Sequence, residues 1–79
     1  MAFHVYSRRG CHLCEQLLEE LLSLVDGRAE IEVRDIDTRE NWRRVYDTRV
    51  PVLEYDGTLV CQYHLDREAV GRILKTLDI

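Results

Sequence analysis

The sequence predicts an α/β fold with the element order β-α-β-α-β-β-α, in which helices cover both faces of a four-stranded mixed sheet. Three observations favour it. A short alternating strand at about residues 3–7 leads into a leucine-rich helix and a second strand, which is typical of two parallel strands joined by a right-handed crossover. Asp56-Gly57 separates two apolar strands and is a hairpin signal. The segment after Asp66 keeps helical spacing.

The first helix is predicted from about Cys11 to Val25, with one wide buried face. Its apolar residues form two adjacent rows, and polar residues cover the opposite side. One row is Leu13, Leu17, Leu21 and Leu24, and the other is Cys14, Leu18, Leu22 and Val25. Gly27 follows the helix as a C-terminal stop.

A second strand is predicted from Glu30 to about Ile36, and a short helix follows it to about Asp47. Asp37 or Thr38 is expected to cap this helix, because a side-chain oxygen can accept from the free N–H groups of the first turn. The apolar residues Trp42, Val45 and Tyr46 lie on one side of the helix.

The second half of the chain predicts a hairpin and a last helix. Val50–Tyr55 is a strand led by Pro51, and Thr58 to about Tyr63 returns as its partner. Asp66 can cap the final helix. The apolar positions of that helix are Ala69, Val70, Ile73, Leu74 and Leu77.

The composition indicates a small globular protein. With 46% apolar and 33% charged residues, we expect one folded domain spanning residues 1–79. The formal net charge of −4 lacks the basic excess typical of nucleic-acid-binding proteins. No apolar run approaches the roughly 18 residues of a membrane span, and no signal-peptide pattern opens the sequence. We therefore expect a cytoplasmic monomer without nucleic-acid or membrane partners.

Cys11 and Cys14 form a CxxC pair where the first strand meets the first helix. A helix N-terminus favours an anion, so Cys11 is expected to be a nucleophilic thiolate, and Cys14, one turn later, can resolve a mixed disulfide. The odd count of three cysteines excludes a closed disulfide framework and points to redox chemistry or metal binding. His12 and Arg8 would add positive charge near the thiolate, and Arg8 could instead hold a substrate carboxylate. For both residues the alternative is a solvated side chain without a role.

Three features together are specific to one family. They are Tyr6-Ser7-Arg8-x-x-Cys11-x-x-Cys14, the pair Val50-Pro51 and the hairpin glycine Gly57. In these features the chain resembles the glutaredoxin branch of the thioredoxin-like fold over essentially its whole length. It looks closest to small bacterial glutaredoxin-like proteins with a CxxC site.

The resemblance implies a thiol–disulfide oxidoreductase that reduces protein or small-molecule disulfides and contributes to cell redox homeostasis. It implies that Cys11 and Cys14 are the catalytic residues and that Pro51 is cis and faces them. The residues on the substrate side would be Tyr6, Arg8, His12, Val50 and Pro51. No tightly bound cofactor is implied. Glutathione can serve as a co-substrate, and either glutathione or a thioredoxin reductase would return the pair to the dithiol.

Two departures from the family pattern bear on glutathione. His12 replaces the usual proline within the CxxC, and the family's Gly-Gly is absent. By count from Pro51, Cys61 and Gln62 occupy the places of those glycines. Because each brings a side chain to a position where the backbone would approach glutathione, we predict weak glutathione binding.

Other roles for the same residues stay open at this point. Cys61 is either a small hydrophobic strand residue or a third redox thiol. The pairs Cys11-x-x-Cys14 and Cys61-x-x-His64 also form a Cys₃His set of the kind that binds zinc, although the preferred interpretation has no metal. A third possibility is a non-catalytic thioredoxin-like interaction module whose partner patch is Trp42 and Tyr46, two residues that at helical spacing are more typical of a core.

Overall fold

The computed structural model describes residues 2–77. The strands are β1 (Ala2–Ser7), β2 (Glu30–Asp35), β3 (Val52–Tyr55) and β4 (Thr58–Gln62), and the α-helices are α1 (His12–Val25), α2 (Glu40–Tyr46) and α3 (Arg67–Leu77). One sheet contains all four strands in the order β2-β1-β3-β4. β1 is parallel to β2 and antiparallel to β3, and β3 is antiparallel to β4. The predicted α/β order and mixed sheet are confirmed.

The main core lies between one face of the sheet and the helices α1 and α3. Successive strand residues point to opposite faces, so Phe3 and Val5 of β1 enter this core together. Its fully buried members are Phe3, Val5, Leu17, Leu21, Val25, Leu53, Val70 and Leu74. Leu22 was predicted to be buried in α1, but it is 54% exposed. The predicted apolar face is therefore wider than the part that the sheet and α3 cover.

The other face of the sheet is covered by α2 through an aromatic cluster. The ring of Tyr6 stacks on that of Tyr46 with centroids 4.1 Å apart and meets Trp42 edge-on at 5.7 Å. Trp42 and Tyr46 are therefore partly buried against the sheet, as their helical spacing suggested, and do not form a fully exposed patch. Val45, predicted on the same side, is 50% exposed.

Helix caps agree with the sequence at α3 and differ at α2. The Asp66 carboxylate accepts from the backbone N–H of Ala69 at 3.1 Å, so the predicted cap of α3 is confirmed. The predicted cap of α2 at Asp37 or Thr38 is wrong. Instead β2 ends one residue before Ile36, the Asp35 carboxylate accepts from the N–H of Asp37 and opens a short 3-10 turn, and α2 begins only after that turn.

Two turns confirm local predictions. Asp56 and Gly57 both have left-handed backbone, with φ of 52° and 81°, which is the two-residue turn that matches strand twist. After α1 the left-handed conformation begins at Asp26, one residue before the predicted stop at Gly27.

Between residues 2 and 77 no helix is long and apolar enough to cross a membrane.

The strand register brings two distant segments to one end of the sheet. Tyr6, near the carboxyl end of β1, pairs with Val52 at the start of antiparallel β3. The loop from β1 to Cys11 therefore begins at the same end of the sheet at which Val50-Pro51 leads into β3. The Val50–Pro51 peptide bond is cis, as the sequence predicted.

Candidate active site

The two cysteines of the CxxC are joined in a disulfide at the amino end of α1. Cys11 is the N-cap residue, with extended backbone, and its Sγ accepts a hydrogen bond from the N–H of Cys14 at 3.1 Å. Gly10 has a φ of 73°, a left-handed conformation that favours glycine and turns the chain into the helix. Cys11 is half-buried, whereas Cys14 is only 3% exposed. The pair is therefore asymmetric, with the accessible sulfur at the helix end.

The position of Cys11 favours its charged form. The first N–H groups of a helix have no partner within the helix, and the aligned peptide dipoles place partial positive charge there. When the disulfide is reduced, a thiolate at Cys11 is stabilised by this field. Cys14 is buried and lies within the first turn of α1, so it does not share the position of Cys11 at the end of the helix.

Arg8 is held by two carboxylates. Its Nε and Nη2 donate to the two oxygens of Asp37 at 3.1 and 2.9 Å, and its Nη1 donates to Oδ1 of Asp47 at 2.8 Å and to the Asp47 carbonyl at 3.1 Å. The guanidinium lowers the pKa of Asp37 below its ordinary value. The Arg8 side chain thus ties the loop before the CxxC to the 3-10 turn and to the end of α2. Its contact with a substrate carboxylate stays a prediction that would compete with these bonds.

The segment that leads into Pro51 is fastened to the end of β4. The Pro51 carbonyl accepts from the N–H of Tyr63 at 2.8 Å, and the Thr48 carbonyl accepts from the Tyr63 hydroxyl at 3.0 Å. Arg49 Nε donates to the Gln62 side-chain oxygen at 3.0 Å. Pro51 is buried. These contacts hold the segment 48–51 at the end of the sheet where β1 leads toward the CxxC.

Tyr6 and His12, both predicted on the substrate side, lie in opposite environments. Tyr6 is 4% exposed, and its hydroxyl accepts from Arg34 Nη1 at 2.7 Å. It belongs to the aromatic cluster beneath α2. His12 is fully exposed on the first turn of α1, with Nδ1 3.9 Å from a carboxylate oxygen of Glu15. The direct contact of either with a substrate stays a prediction, and His12 is the more accessible of the two.

Cys61 lies on β4 opposite Leu53 and packs against the main core. Burial raises the pKa of its thiol. This placement fits the small hydrophobic strand residue more closely than a reactive thiol. Across residues 2–77 no three His, Cys, Asp or Glu side chains come together as a possible metal site. The Cys₃His alternative with His64 is therefore not supported.

The structure adds residues that the sequence did not single out for the site. Asp37 and Asp47 bind Arg8 from positions 29 and 39 residues away, and no local pattern announces such a pairing. Tyr63 anchors Pro51 and has left-handed backbone with a φ of 66°, whereas Cys61 and Gln62, placed at the family's Gly-Gly by count, are extended strand residues.

A small cleft of about 100 Å³ also opens between the first turns of α1 and the loop after β4. Its walls are Leu13, Gln16, Leu17, Glu20, Tyr63, His64 and Leu65. The cleft starts two residues after Cys11 in α1. It was not foreseen from the sequence, because its two walls are about fifty residues apart in the chain.

Comparisons with known proteins agree with the geometry. A family model described as Glutaredoxin-like domain (DUF836) matches residues 3–75. The solution NMR structure of protein Ne2328 from Nitrosomonas europaea is 39% identical, with a TM-score of 0.77 over 91% of this chain and 88% of that one. Protein XcR50 from X. campestris is 24% identical, with a TM-score of 0.71 over 94% of this chain and 96% of that one.

A more distant structure shows the fold class. Thioredoxin 1 from the thermophilic bacterium Thermosipho africanus is 13% identical, with a TM-score of 0.66 over the full length of both chains. No curated protein matches the sequence. The family model spans nearly all of the described residues, and the fold is thioredoxin-like with a CxxC at the start of its first helix. The chain belongs to the glutaredoxin-like domain family.

Proposed function

We propose that this protein is a thiol–disulfide oxidoreductase that uses Cys11 as nucleophile and Cys14 as resolving thiol. The observation that carries the proposal is the asymmetry of the pair. The accessible sulfur of Cys11 caps α1 and accepts the N–H of Cys14, while Cys14 itself is buried within bonding reach, 5.2 Å away between Cα atoms. A purely structural crosslink between cysteines three positions apart would not require one sulfur at the helix end.

The reaction transfers two electrons from the dithiol to a substrate disulfide. The Cys11 thiolate attacks one substrate sulfur, a mixed disulfide forms, and the other substrate sulfur leaves as a thiolate that takes up a proton. Cys14 then loses its proton and attacks Sγ of Cys11, which forms the Cys11–Cys14 disulfide and releases the second substrate thiol. A thiol reductant, either glutathione or the dithiol of a reductase, returns the pair to the reduced state by the same exchange.

The surroundings of the site favour a protein disulfide over glutathione as the preferred substrate. Arg8, the arginine predicted to hold a substrate carboxylate, is already bound by Asp37 and Asp47. The side chain of Gln62 is bonded to Arg49 at the end of β4. A peptide can instead lie along the fixed backbone before Pro51 and use the cleft beside α1. We place the activity in the cytoplasm, where cellular reductants keep thiols reduced and can reset the pair.

Single-cysteine variants test the proposal. Cys11→Ser should abolish reduction of hydroxyethyl disulfide and of insulin, because no nucleophile remains at the helix end. Cys14→Ser should accumulate a mixed disulfide on Cys11, which mass spectrometry of the intact protein detects. Cys61→Ala is the matched control and should leave turnover unchanged. Retained activity in Cys11→Ser would refute the mechanism.

A further inference from the structure

The β2 edge of the sheet has no neighbouring strand among the described residues. On this edge Val33 is 48% exposed, although it pairs with Val5, which lies fully inside the main core. Glu32 and Arg34 point to the opposite face, where Arg34 Nε donates to Glu32 Oε1 at 2.9 Å. The strand therefore presents an exposed valine flanked by one acidic and one basic residue.

An edge strand offers unpaired N–H and C=O groups to any passing strand, and charged residues usually prevent such contacts. The charges of β2 have a different property, because they are complementary to themselves. In an antiparallel pair related by a two-fold axis, one residue faces its own copy, and the residues on either side of it face each other across the axis. The sign of each pairing then depends only on which residue lies at the axis.

We propose that two copies of this chain associate through their β2 edges, antiparallel, with Val33 facing its copy at the two-fold axis. In this register Glu32 of each copy lies opposite Arg34 of the other, and the two valines cover one another. With Glu32 at the axis, Glu30 of each copy would lie opposite Arg34 of the other, but the two copies of Glu32 would face each other. With Arg34 at the axis the two arginines would face each other. With Ile31 at the axis Glu30 would face Glu32. The register with Val33 at the axis is therefore favoured, because it pairs Glu32 with Arg34 twice and places no like charges opposite each other.

The other edge of the sheet lacks this property. β4 spans Thr58–Gln62 and contains no charged residue, and its pairing with β3 is irregular next to Leu53 and Glu54. It does expose an apolar side chain, Leu59, to the same extent as Val33, at 48%. Exposure alone therefore does not distinguish the two edges, and charge complementarity does.

A pair of six-residue strands makes a small interface. Stable complexes bury about 1,200–2,000 Å² in total, so a contact of this size is expected to be weak and to depend on protein concentration and salt. The proposed contact involves only the β2 edge, so it does not depend on the proposed redox activity. It departs from the monomer expected from the sequence, and the experiments below distinguish the two.

Matched substitutions on the two edges give the first test. Sedimentation equilibrium of the reduced Cys61→Ala protein, which cannot form a disulfide between copies through that thiol, should show a monomer–dimer equilibrium. Val33→Lys should weaken the dimer by about tenfold or more, because two ammonium groups would meet at the axis. Leu59→Lys changes an equally exposed residue on the other edge and should leave the equilibrium unchanged.

Charge exchange gives the second test. Glu32→Arg alone and Arg34→Glu alone should each weaken the dimer, because like charges then face each other. A mixture of these two variants should form heterodimers, since the arginine introduced in one copy meets the glutamate introduced in the other. Because Arg34 also bonds to Tyr6, circular dichroism must show that the Arg34→Glu variant is folded. If it is unfolded, Val33→Lys and Glu32→Arg decide.

The outcomes separate cleanly. Loss of the dimer in Val33→Lys but not in Leu59→Lys supports the proposal. A monomer at all concentrations up to about a millimolar, or a dimer equally weakened by Leu59→Lys, overturns it. A dimer that resists both Val33→Lys and Glu32→Arg would lie elsewhere on the surface and would overturn it as well.

Discussion

Arg8 binds both carboxylate oxygens of Asp37, a residue 29 positions further along the chain. The contact joins the loop before Cys11 to the 3-10 turn that follows β2. Arg8 is also bonded to Asp47 at the end of α2, so one side chain connects three segments that surround the site. The loop before the CxxC is thus positioned by a surface ion-pair network, in addition to the apolar packing that holds α1 against the sheet.

We predict that Asp37→Asn lowers the melting temperature at neutral pH and has less effect in acid. Arg8 lowers the pKa of Asp37 below 3.8 in the folded protein. The carboxylate therefore contributes stability above that pH, and the contribution is lost as the pH falls through the lower pKa of the folded state. Thermal unfolding of both proteins from pH 7 to pH 2 measures the difference. Glu19→Gln, at an exposed carboxylate outside the contact, is the control. A difference between wild type and Asp37→Asn that does not shrink in acid would contradict the prediction.

We predict that Cys11 is the most reactive thiol of the reduced protein. The helix end should bring its pKa below the ordinary value of about 8.5, whereas burial raises the pKa of Cys61. Iodoacetamide alkylation followed site by site from pH 5 to pH 10 gives the titration of each thiol. Cys11→Ser serves as the control and should lose the fast phase. Faster labelling of Cys14 or Cys61 at pH 7 would refute the assignment.

We predict inefficient use of glutathione. In Cys14→Ser, glutathione disulfide should convert Cys11 to the mixed disulfide more slowly than a protein disulfide does at equal concentration, because Arg8 is occupied and Gln62 carries a side chain where the family has glycine. Mass spectrometry of timed samples measures both rates. Cys61→Ala in the same background tests whether that thiol contributes. Rapid glutathionylation and glutathione-coupled turnover would overturn the prediction.

We predict that two adjacent leucines of α1 differ sharply in their effect on stability. Leu21→Ala removes a fully buried side chain and should reduce the free energy of unfolding by about 2–5 kcal/mol. Leu22→Ala changes a side chain that is 54% exposed, and the effect should stay within about 0.5 kcal/mol. Urea unfolding of the two variants measures the difference. Equal losses would mean that the Leu22 side chain is covered in solution and would contradict the prediction.

The sequence predicted the features of the fold that have local causes. Apolar periodicity located α1 and α3, the Asp56-Gly57 turn located the hairpin, and Asp66 located the start of α3. The start of α2 could not be predicted in the same way, because Asp35 caps an intervening 3-10 turn, and α2 begins after Arg39, whose side chain makes no cap hydrogen bond. Local periodicity also gives no measure of how far the sheet extends under α1. The exposure of Leu22 could therefore not be predicted from the apolar rows of the helix.

For the candidate site as well, local motifs could be predicted and contacts between distant segments could not. The CxxC and Val50-Pro51 are short motifs, so they could be found without a structure. The partners of Arg8 and the anchoring of Pro51 by Tyr63 arise from contacts between segments that only the fold brings together. The burial of Cys61 depends on which face of β4 it occupies, and the sequence of β4 alone does not show this.

The hydrogen bond from the N–H of Cys14 to the Cys11 sulfur links redox state to folding. A thiolate is a stronger acceptor than a disulfide sulfur, so this donor should bind the reduced form more tightly than the oxidised form. The four states, folded and unfolded, reduced and oxidised, form a closed thermodynamic cycle. The free energy that the helix end adds to the reduced fold beyond what it adds to the oxidised fold therefore appears, with equal magnitude, as a shift of the reduction potential toward a stronger oxidant. A substitution that weakens the start of α1 would change both quantities together, even if it touched neither sulfur.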